Sequence, residues 1–145
     1  MVHGGGPQIE KELKKRKINN EEYQGLRVTT KSVLGVVKRI LSHDLNKLIS
    51  DEIKKNGGKT KRFNGVITRV LKAKIAMNGN IGFVGEPRGI DKNLIMKALK
   101  SNHIPIIAPL GIDTNKNTCP ITSSATSLFA SGSINFNLWA QLKIT

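Results

Sequence analysis

The sequence predicts an α/β fold in which helices pack around a largely parallel sheet. A glycine-rich turn joins a short apolar segment to a helical pattern at the start of the chain. One long amphipathic pattern covers residues 31–56, and a continuous apolar run of strand length follows at 104–110. Alternation of strands and helices, with an apolar run suited to a sheet covered on both faces, is typical of α/β proteins.

The composition allows one soluble domain and is unusual only in its charge. The 145 residues include 24 Lys and Arg against 10 Asp and Glu, a net charge of +14. The basic residues are dispersed and one Trp and one Tyr give no aromatic platform for bases, so a basic nucleic-acid-binding protein is the minor alternative. No apolar run reaches eighteen residues, and the single Cys119 has no internal partner. We therefore expect a cytoplasmic protein with no membrane and no nucleic acid among its partners.

The first elements are a strand end, a glycine turn and a helix. Val2 and His3 have the character of a strand, and Gly4-Gly5-Gly6 provides the turn. Pro7 suits the first position of a helix, which we predict over residues 8–17, because its missing N–H would be unpaired there in any case. An extended stretch is predicted for residues 23–28.

The strongest local pattern is a single helix over residues 31–56. Thr29 or Thr30 can cap its start, and Gly57-Gly58 can end it in the left-handed conformation. Steps of three and four between apolar residues predict one continuous buried stripe. The stripe comprises Val33, Val36, Val37, Ile40, Leu41, Leu45, Leu48, Ile49 and Ile53.

The second half of the chain is predicted to alternate between short strands and one helix. Val66-Ile67, Val70-Leu71, residues 75–77 and residues 81–84 are predicted strands, with a hairpin turn at 78–80. Asp91 is predicted to cap a helix that buries Leu94, Ile95, Ala98 and Leu99. A further buried strand is predicted over 104–110, before a polar loop at 113–118.

Two features can carry chemistry on their own residue types. Gly4-Gly5-Gly6 at a strand-to-helix junction can direct backbone N–H groups at an anion, although a tight structural turn explains it equally well. Arg27 can clamp a carboxylate through two parallel hydrogen bonds, but an ordinary surface arginine is the simpler explanation. The glycines match neither a Walker loop nor a dinucleotide fingerprint. The three histidines are scattered, and no metal-ligand spacing is present, so we predict no metal site.

Taken together and in order, the motifs resemble those of the N-acetylglutamate kinases. The resemblance covers residues 2 to about 112. It is carried by Val2-His3-Gly4-Gly5-Gly6-Pro7-Gln8-Ile9, Gly25-Leu26-Arg27-Val28-Thr29, Asn46-Lys47, Gly57-Gly58, Ile81-Gly82-Phe83-Val84-Gly85-Glu86 and Ile104-Pro105-Ile106-Ile107-Ala108-Pro109-Leu110-Gly111.

This resemblance implies a three-layer α/β/α sandwich of the amino-acid kinase type. Such enzymes use ATP and Mg²⁺ to phosphorylate the side-chain carboxylate of N-acetyl-L-glutamate in arginine biosynthesis, and they commonly form homo-oligomers. The resemblance makes Gly5 and Gly6 part of the loop that holds the substrate and the transferring phosphoryl group. It also assigns the α-carboxylate of the substrate to Arg27, which reverses the preference for a surface arginine.

The sequence departs from the family in ways that predict an incomplete enzyme. The upstream lysine-glycine strand and the carboxy-terminal nucleotide half are expected but not seen, so we expect a fragment truncated at both ends. Pro120 stands where a substrate-binding Asn is expected, and Ser124 where an Asp that organises the catalytic lysines is expected. We therefore divide the chain into a substrate-binding part, 1–118, and a divergent tail, 119–145. We expect no catalytic residue to be retained and the chain alone to be inactive. A non-catalytic module that binds a small acid is the alternative.

Overall fold

Helices and strands alternate along the chain, which confirms the predicted α/β class. The computed structural model describes residues 1–121, apart from the side chains at 77 and 78. The helices are α1 (Gly6–Lys15), α2 (Lys31–Arg39), a π-helix (Ile40–Leu45), α3 (Asn46–Lys55), a 3₁₀ turn (Ala76–Gly79) and α4 (Lys92–Lys100). The strands are β1 (Glu22–Tyr23), β2 (Leu26–Arg27), β3 (Thr60–Phe63), β4 (Leu71–Ile75), β5 (Gly85–Ile90), β6 (Ile104–Ile107), β7 (Leu110–Ile112) and β8 (Thr118–Pro120).

The strands form parallel and antiparallel pairs in about equal measure. β3 pairs with β6 in parallel, and Val2 bridges to Ile107 in parallel on the other side of β6. A second sheet has the order β5-β4-β7-β8, in which only β4 and β7 are parallel. The predicted short strand at Val2-His3 is therefore present as an isolated bridge. Because this bridge pairs Val2 with the last residue of β6, the glycine turn that follows lies at the carboxyl end of β6.

The predicted continuous strand over 104–110 is divided into β6 and β7, which belong to different sheets. The N–H of Leu110 donates to the carbonyl of Ala108 at 2.8 Å, which closes a tight turn around Pro109. Pro109 has no N–H to offer a ladder, so the chain leaves one sheet there and enters the next. The run itself is buried as predicted, since Ile106 and Leu110 have no exposed surface.

The first helix and the long helical segment confirm their predicted end signals. Pro7 lies in the first turn of α1, and Ile9 and Leu13 are the buried residues of this helix. Thr30 caps α2 by accepting a hydrogen bond from the N–H of Val33 at 3.4 Å. Gly57 follows α3 with a φ of 82°, the left-handed conformation that ends a helix.

A π-helical turn inside the long helical segment changes which residues face the core. Val33, Val37 and Leu41 are buried at steps of four, but the next buried residue is Asn46, five positions further, followed by Ser50. A π turn adds one residue to an α-helical turn and so rotates everything after it. The predicted stripe is therefore wrong at Leu48, whereas Leu45 still packs against the core cluster of α1 and α2. Leu48 is 56% exposed, while Leu45, Ile49 and Ile53 are only partly buried.

Three other predicted extended segments are interrupted, replaced or shortened in the structure. Residues 23–28 form a hairpin instead of one extended stretch, because Gln24 and Gly25 both take the left-handed conformation. Val66-Ile67 lies in a loop in which the side-chain oxygen of Asn64 accepts from the N–H groups of residues 66–68 at 3.1, 2.9 and 3.3 Å. Residues 81–84 contribute only an isolated bridge between Gly82 and Thr29.

The core forms on both faces of the divided apolar run. α1 and α2 pack against Ala108 and Leu110, while Phe63, Leu71 and Ile107 form a second cluster with α4. Asp91 caps α4 as predicted by accepting from the N–H of Leu94 at 3.2 Å, but the Leu94 side chain is 42% exposed. Among residues 1–121 there is no helix of the length and apolar character needed to cross a membrane.

Candidate functional site

A cavity lies at the amino-terminal end of α1, beside the predicted site residues. Its volume is about 490 Å³. The glycine turn forms one wall, the β2 strand with Arg27 forms another, and Leu41 and Ile121 belong to the apolar remainder. The structure therefore brings Gly5, Gly6 and Arg27 to one cavity, although Arg27 is 21 residues distant along the chain.

The glycine turn presents backbone donors that α1 itself cannot use. The carbonyl of Gly5 accepts from the N–H of Ile9 at 3.0 Å, which begins the helical hydrogen bonds. The N–H groups of Gly5 and Gly6 lie before Ile9, the first helical donor, and donate to no backbone carbonyl within residues 1–121. The positive end of the helix dipole lies at the same place, so this end of the cavity favours an anion.

The three glycines differ in the space around them. A Cβ added at Gly5 would lie 2.7 Å from Cδ2 of Leu41 and 2.8 Å from Cδ1 of Leu45. A Cβ added at Gly4 or Gly6 would meet nothing within 4 Å. Gly5 is therefore required for close packing against the long helical segment, whereas Gly6 borders open space.

Arg27 is held at the cavity but is not fully paired. Its Nη2 donates to Oε1 of Glu10 at 3.3 Å, and the Glu10 side chain is 53% exposed. Its Nε is buried without a hydrogen-bond partner, the one such side-chain atom within residues 1–121. A buried unpaired donor is costly in a native structure, and in this conformation no solvent-sized group can reach the Nε atom.

A buried polar group lies directly behind the glycine turn. Asn46 is fully buried, and its Nδ2 lies 3.1 Å from the carbonyl of Ile106 and 3.2 Å from Nε2 of His3. Its Oδ1 accepts from Nε of Arg62 at 2.9 Å. Nδ1 of His3 lies 3.1 Å from the carbonyl of Gly4, and burial lowers the pKa of His3 more than this carbonyl raises it. The sequence pattern did not single out these side chains, because an uninterrupted α-helix directs Asn46 away from the core.

The far wall of the cavity is apolar where the family pattern expects an amide. Pro120 and Ile121 both line it, and Pro120 pairs with Leu110 in the register of β8. Neither residue has a polar side chain, so this wall offers no side-chain donor to a ligand. Ser124, the other departure from the family, lies outside the described residues.

The other titratable groups within residues 1–121 do not line this cavity. Cys119 is buried next to it in β8, and burial, followed by the nearby Asp113, raises the pKa of the thiol to about 11. Such a thiol remains protonated and is a poor nucleophile. His43 and His103 hydrogen-bond near their own positions, to Asp44 and to the carbonyl of Ser101. No group of three or more His, Cys, Asp or Glu within the described part of the chain could hold a metal ion.

The fold and the cavity together define an α/β protein with a small-molecule cavity where a glycine turn meets a helix. The sequence profile of the amino acid kinase family matches residues 1–133, and the chain belongs to this family. The acetylglutamate kinase of Geobacillus kaustophilus is 37% identical over 123 residues, which are 85% of this chain and 48% of that protein. The acetylglutamate kinase of Bacillus cytotoxicus is 41% identical over 112 residues, 77% of this chain and 43% of that protein. These relatives confirm the resemblance that the motifs indicated.

Solved structures agree on the fold. The crystal structure of smu.665 from Streptococcus mutans matches with a TM-score of 0.79 and 26% identity, covering 90% of this chain and 55% of that one. An N-acetylglutamate synthase from Neisseria gonorrhoeae, solved with coenzyme A and N-acetyl-glutamate, has a TM-score of 0.73. Its 16% identity, over 91% of this chain and 30% of that one, shows a shared fold alone. The chain spans about half the length of the curated relatives it matches.

Proposed function

We propose that the chain supplies the N-acetyl-L-glutamate-binding part of an ATP-dependent kinase that phosphorylates the side-chain carboxylate of this substrate. One observation carries the proposal: Gly5, Gly6 and Arg27 line a single cavity. The cavity volume of about 490 Å³ is in the usual range for small-molecule sites. As in the acetylglutamate kinases it resembles, the chain would act in arginine biosynthesis in the cytoplasm.

The substrate has two carboxylates, and the cavity has two kinds of anion donor. Arg27 suits the α-carboxylate, because a guanidinium binds a carboxylate through two parallel hydrogen bonds. Its contact with Glu10 involves a half-exposed carboxylate, so exchanging that partner for a substrate carboxylate costs little. The amides of Gly5 and Gly6 suit the other carboxylate together with the phosphoryl group that it accepts, because backbone N–H groups stabilise the negative charge on the oxygens of the transferring phosphoryl group.

The nucleotide and its metal do not fit the described walls of this cavity. Phosphoryl transfer from ATP requires cationic contacts to the phosphates and carboxylate ligands for Mg²⁺. Within residues 1–121, the residues that line the cavity include no lysine, aspartate or glutamate. The contribution we assign to this chain is therefore to bind and orient the phosphoryl acceptor.

The proposal is tested by titrating the chain with N-acetyl-L-glutamate and following backbone amide shifts or heat. We expect saturable binding that shifts the Gly5 and Gly6 amides. Arg27→Ala should weaken the affinity about 10- to 100-fold, the range for charge-assisted hydrogen bonds. Arg88→Ala is the matched control, because Arg88 also pairs with a half-exposed carboxylate, Glu86 at 3.1 Å, away from this cavity. Equal affinities for the two variants would contradict the site.

A second function, binding of a small acid without chemistry, is supported by the apolar wall at Pro120. An ATP-coupled turnover assay with N-acetyl-L-glutamate tests an expectation that both functions share. We expect the 145-residue chain alone to bind without turnover. Saturable turnover by this chain alone would contradict this expectation, because it would show that the chain also binds ATP and transfers its phosphoryl group.

A further inference from the structure

We propose that Arg62, Asn46 and His3 form a positioning chain that orients the Gly4–Gly5 peptide so that the Gly5 N–H faces the cavity. None of the three side chains is assigned a role by the proposed function. The inference rests on the proposed function only for the identity of the substrate that the oriented N–H would bind. Each step follows from which atoms can donate and which can accept.

Arg62 fixes the orientation of the Asn46 amide. A guanidinium only donates, so the atom of Asn46 that lies 2.9 Å from Nε of Arg62 must be the amide oxygen. Nη2 of Arg62 donates to the carbonyl of Ser42 at 3.1 Å, which anchors the guanidinium at the π turn. The NH₂ group of Asn46 therefore faces away from Arg62.

Asn46 in turn fixes the tautomer of His3. The carbonyl of Ile106, 3.1 Å away, accepts one hydrogen of the NH₂ group. The other hydrogen of this NH₂ group points at Nε2 of His3, which lies 3.2 Å from Nδ2 of Asn46. Nε2 must therefore accept, so it is the unprotonated ring nitrogen. A neutral ring with this arrangement carries its hydrogen on Nδ1. The full burial of Asn46 gives this amide no water as an alternative partner.

His3 then holds the glycine turn. Its Nδ1–H donates to the carbonyl of Gly4 at 3.1 Å. Peptide bonds in the described chain are trans, and in a trans peptide the C=O and the following N–H point in opposite directions. Fixing the carbonyl of Gly4 therefore fixes the N–H of Gly5. Glycine residues have no side chain that would restrict this peptide, so an outside contact is needed to hold it.

The neutral state of His3 is required by this geometry. A proton on Nε2 would place two donors, the ring N–H and the NH₂ of Asn46, against each other. The Asn46 amide cannot turn to offer its oxygen instead, because Arg62 already donates to that oxygen. Burial already lowers the pKa of His3, which favours the neutral ring. An N–H that is oriented in advance binds developing negative charge without the cost of reorganisation.

The first test uses the unaltered chain without ligand. The ¹⁵N shifts of a histidine ring distinguish a protonated, pyrrole-type nitrogen from an unprotonated, pyridine-type one. We expect Nδ1 of His3 to be pyrrole-type and Nε2 to be pyridine-type. The reverse tautomer, or an equal mixture of both, would overturn the positioning chain.

The second test uses two amide replacements of His3 that differ in reach. The amide nitrogen of His3→Asn lies near the position of Nδ1 and can still donate to the carbonyl of Gly4. The amide of His3→Gln reaches the position of Nε2 and loses that donor. We expect His3→Asn to keep the wild-type Gly5 amide shift and an affinity for N-acetyl-L-glutamate within about threefold. His3→Gln should shift the Gly5 amide and weaken binding about tenfold, as for one lost hydrogen bond.

The outcomes separate this inference from the proposed function. If the wild type does not bind N-acetyl-L-glutamate, the proposed function fails, while the ring tautomer and the Gly5 amide shift still decide the positioning role. If the wild type binds and the two variants are indistinguishable in both readouts, the positioning role is refuted. Melting curves of both variants show whether each is folded, and the tautomer measurement needs no variant.

Discussion

Replacing Gly5 by Ala should destabilise the fold, although the change adds only one methyl group. The new Cβ would lie 2.7 Å from Cδ2 of Leu41 and 2.8 Å from Cδ1 of Leu45. Carbon atoms in contact prefer about 3.5–4.0 Å, so the two leucine methyl groups must each move by roughly 1 Å. The φ of Gly5 is −176°, an extended value that alanine also adopts, so the cost is steric.

The expected steric cost is about 1–2 kcal/mol. Overpacking a well-packed site typically costs about 1–3 kcal/mol. The low part of this range applies, because both obstructing atoms are the ends of leucine side chains that can rotate. The lower entropy of alanine in the unfolded chain returns about 0.5 kcal/mol. Gly6→Ala has the same entropy effect but no obstruction within 4 Å, so it should be neutral or stabilising by about 0.5 kcal/mol.

Urea denaturation of the wild type, Gly5→Ala and Gly6→Ala measures this difference directly. We expect the two variants to differ by about 2 kcal/mol in the free energy of unfolding, with similar slopes. Leu45→Ala in the Gly5→Ala background should cost less than it does alone, because it removes one of the two obstructions. If Gly5→Ala is as stable as Gly6→Ala, the close packing of the glycine turn against the long helical segment is refuted.

Three further predictions follow from the buried groups. Asn46→Leu should lower the free energy of unfolding by about 2–4 kcal/mol, because it leaves the buried partners of Asn46 without a hydrogen bond. As a control, Leu48→Asn at an exposed position should change this free energy by less than about 0.5 kcal/mol. Cys119, whose pKa is raised to about 11, should react with a disulfide reagent at pH 8 at least about 100-fold more slowly in the folded chain than in urea; equal rates would contradict its burial. His3 has a lowered folded pKa, so the unfolded chain binds its proton first as the pH falls. The melting temperature should therefore decline as the pH falls below about 6.5, towards the lowered folded pKa, and the decline should be smaller in His3→Asn.

The sequence predicted those parts of the fold whose signals are local. The caps at Thr30 and Asp91, Pro7 in the first turn of α1 and the left-handed Gly57 all act within one turn of their own positions. The meeting of Gly5, Gly6 and Arg27 at one cavity was expected only from the family resemblance. No periodicity in the sequence links these positions.

The failures arose where a side chain or a long-range contact outweighed local propensity. Val66 has the preference of a strand residue, but the side chain of Asn64 takes up the N–H groups that a ladder would need. Asn46 was missed as a buried group because a period of 3.6 residues places Leu45, Leu48 and Ile49 inward. The π turn is stabilised by contacts distant in sequence, including Arg62 to the carbonyl of Ser42, and a helical pattern cannot show it.

The π turn also bears on how the chain tolerates changes in its length. One residue more than an α-helical turn separates Leu41 from Asn46, and that turn includes His43 and Asp44, which are both exposed. Deleting either residue would leave a spacing of four, which an α-helix accommodates with the same residues facing inward. A deletion elsewhere in the helix would rotate one half relative to the other by about 100°. The segment therefore contains one turn in which a residue can be deleted while Asn46 and the residues after it keep the same side towards the core.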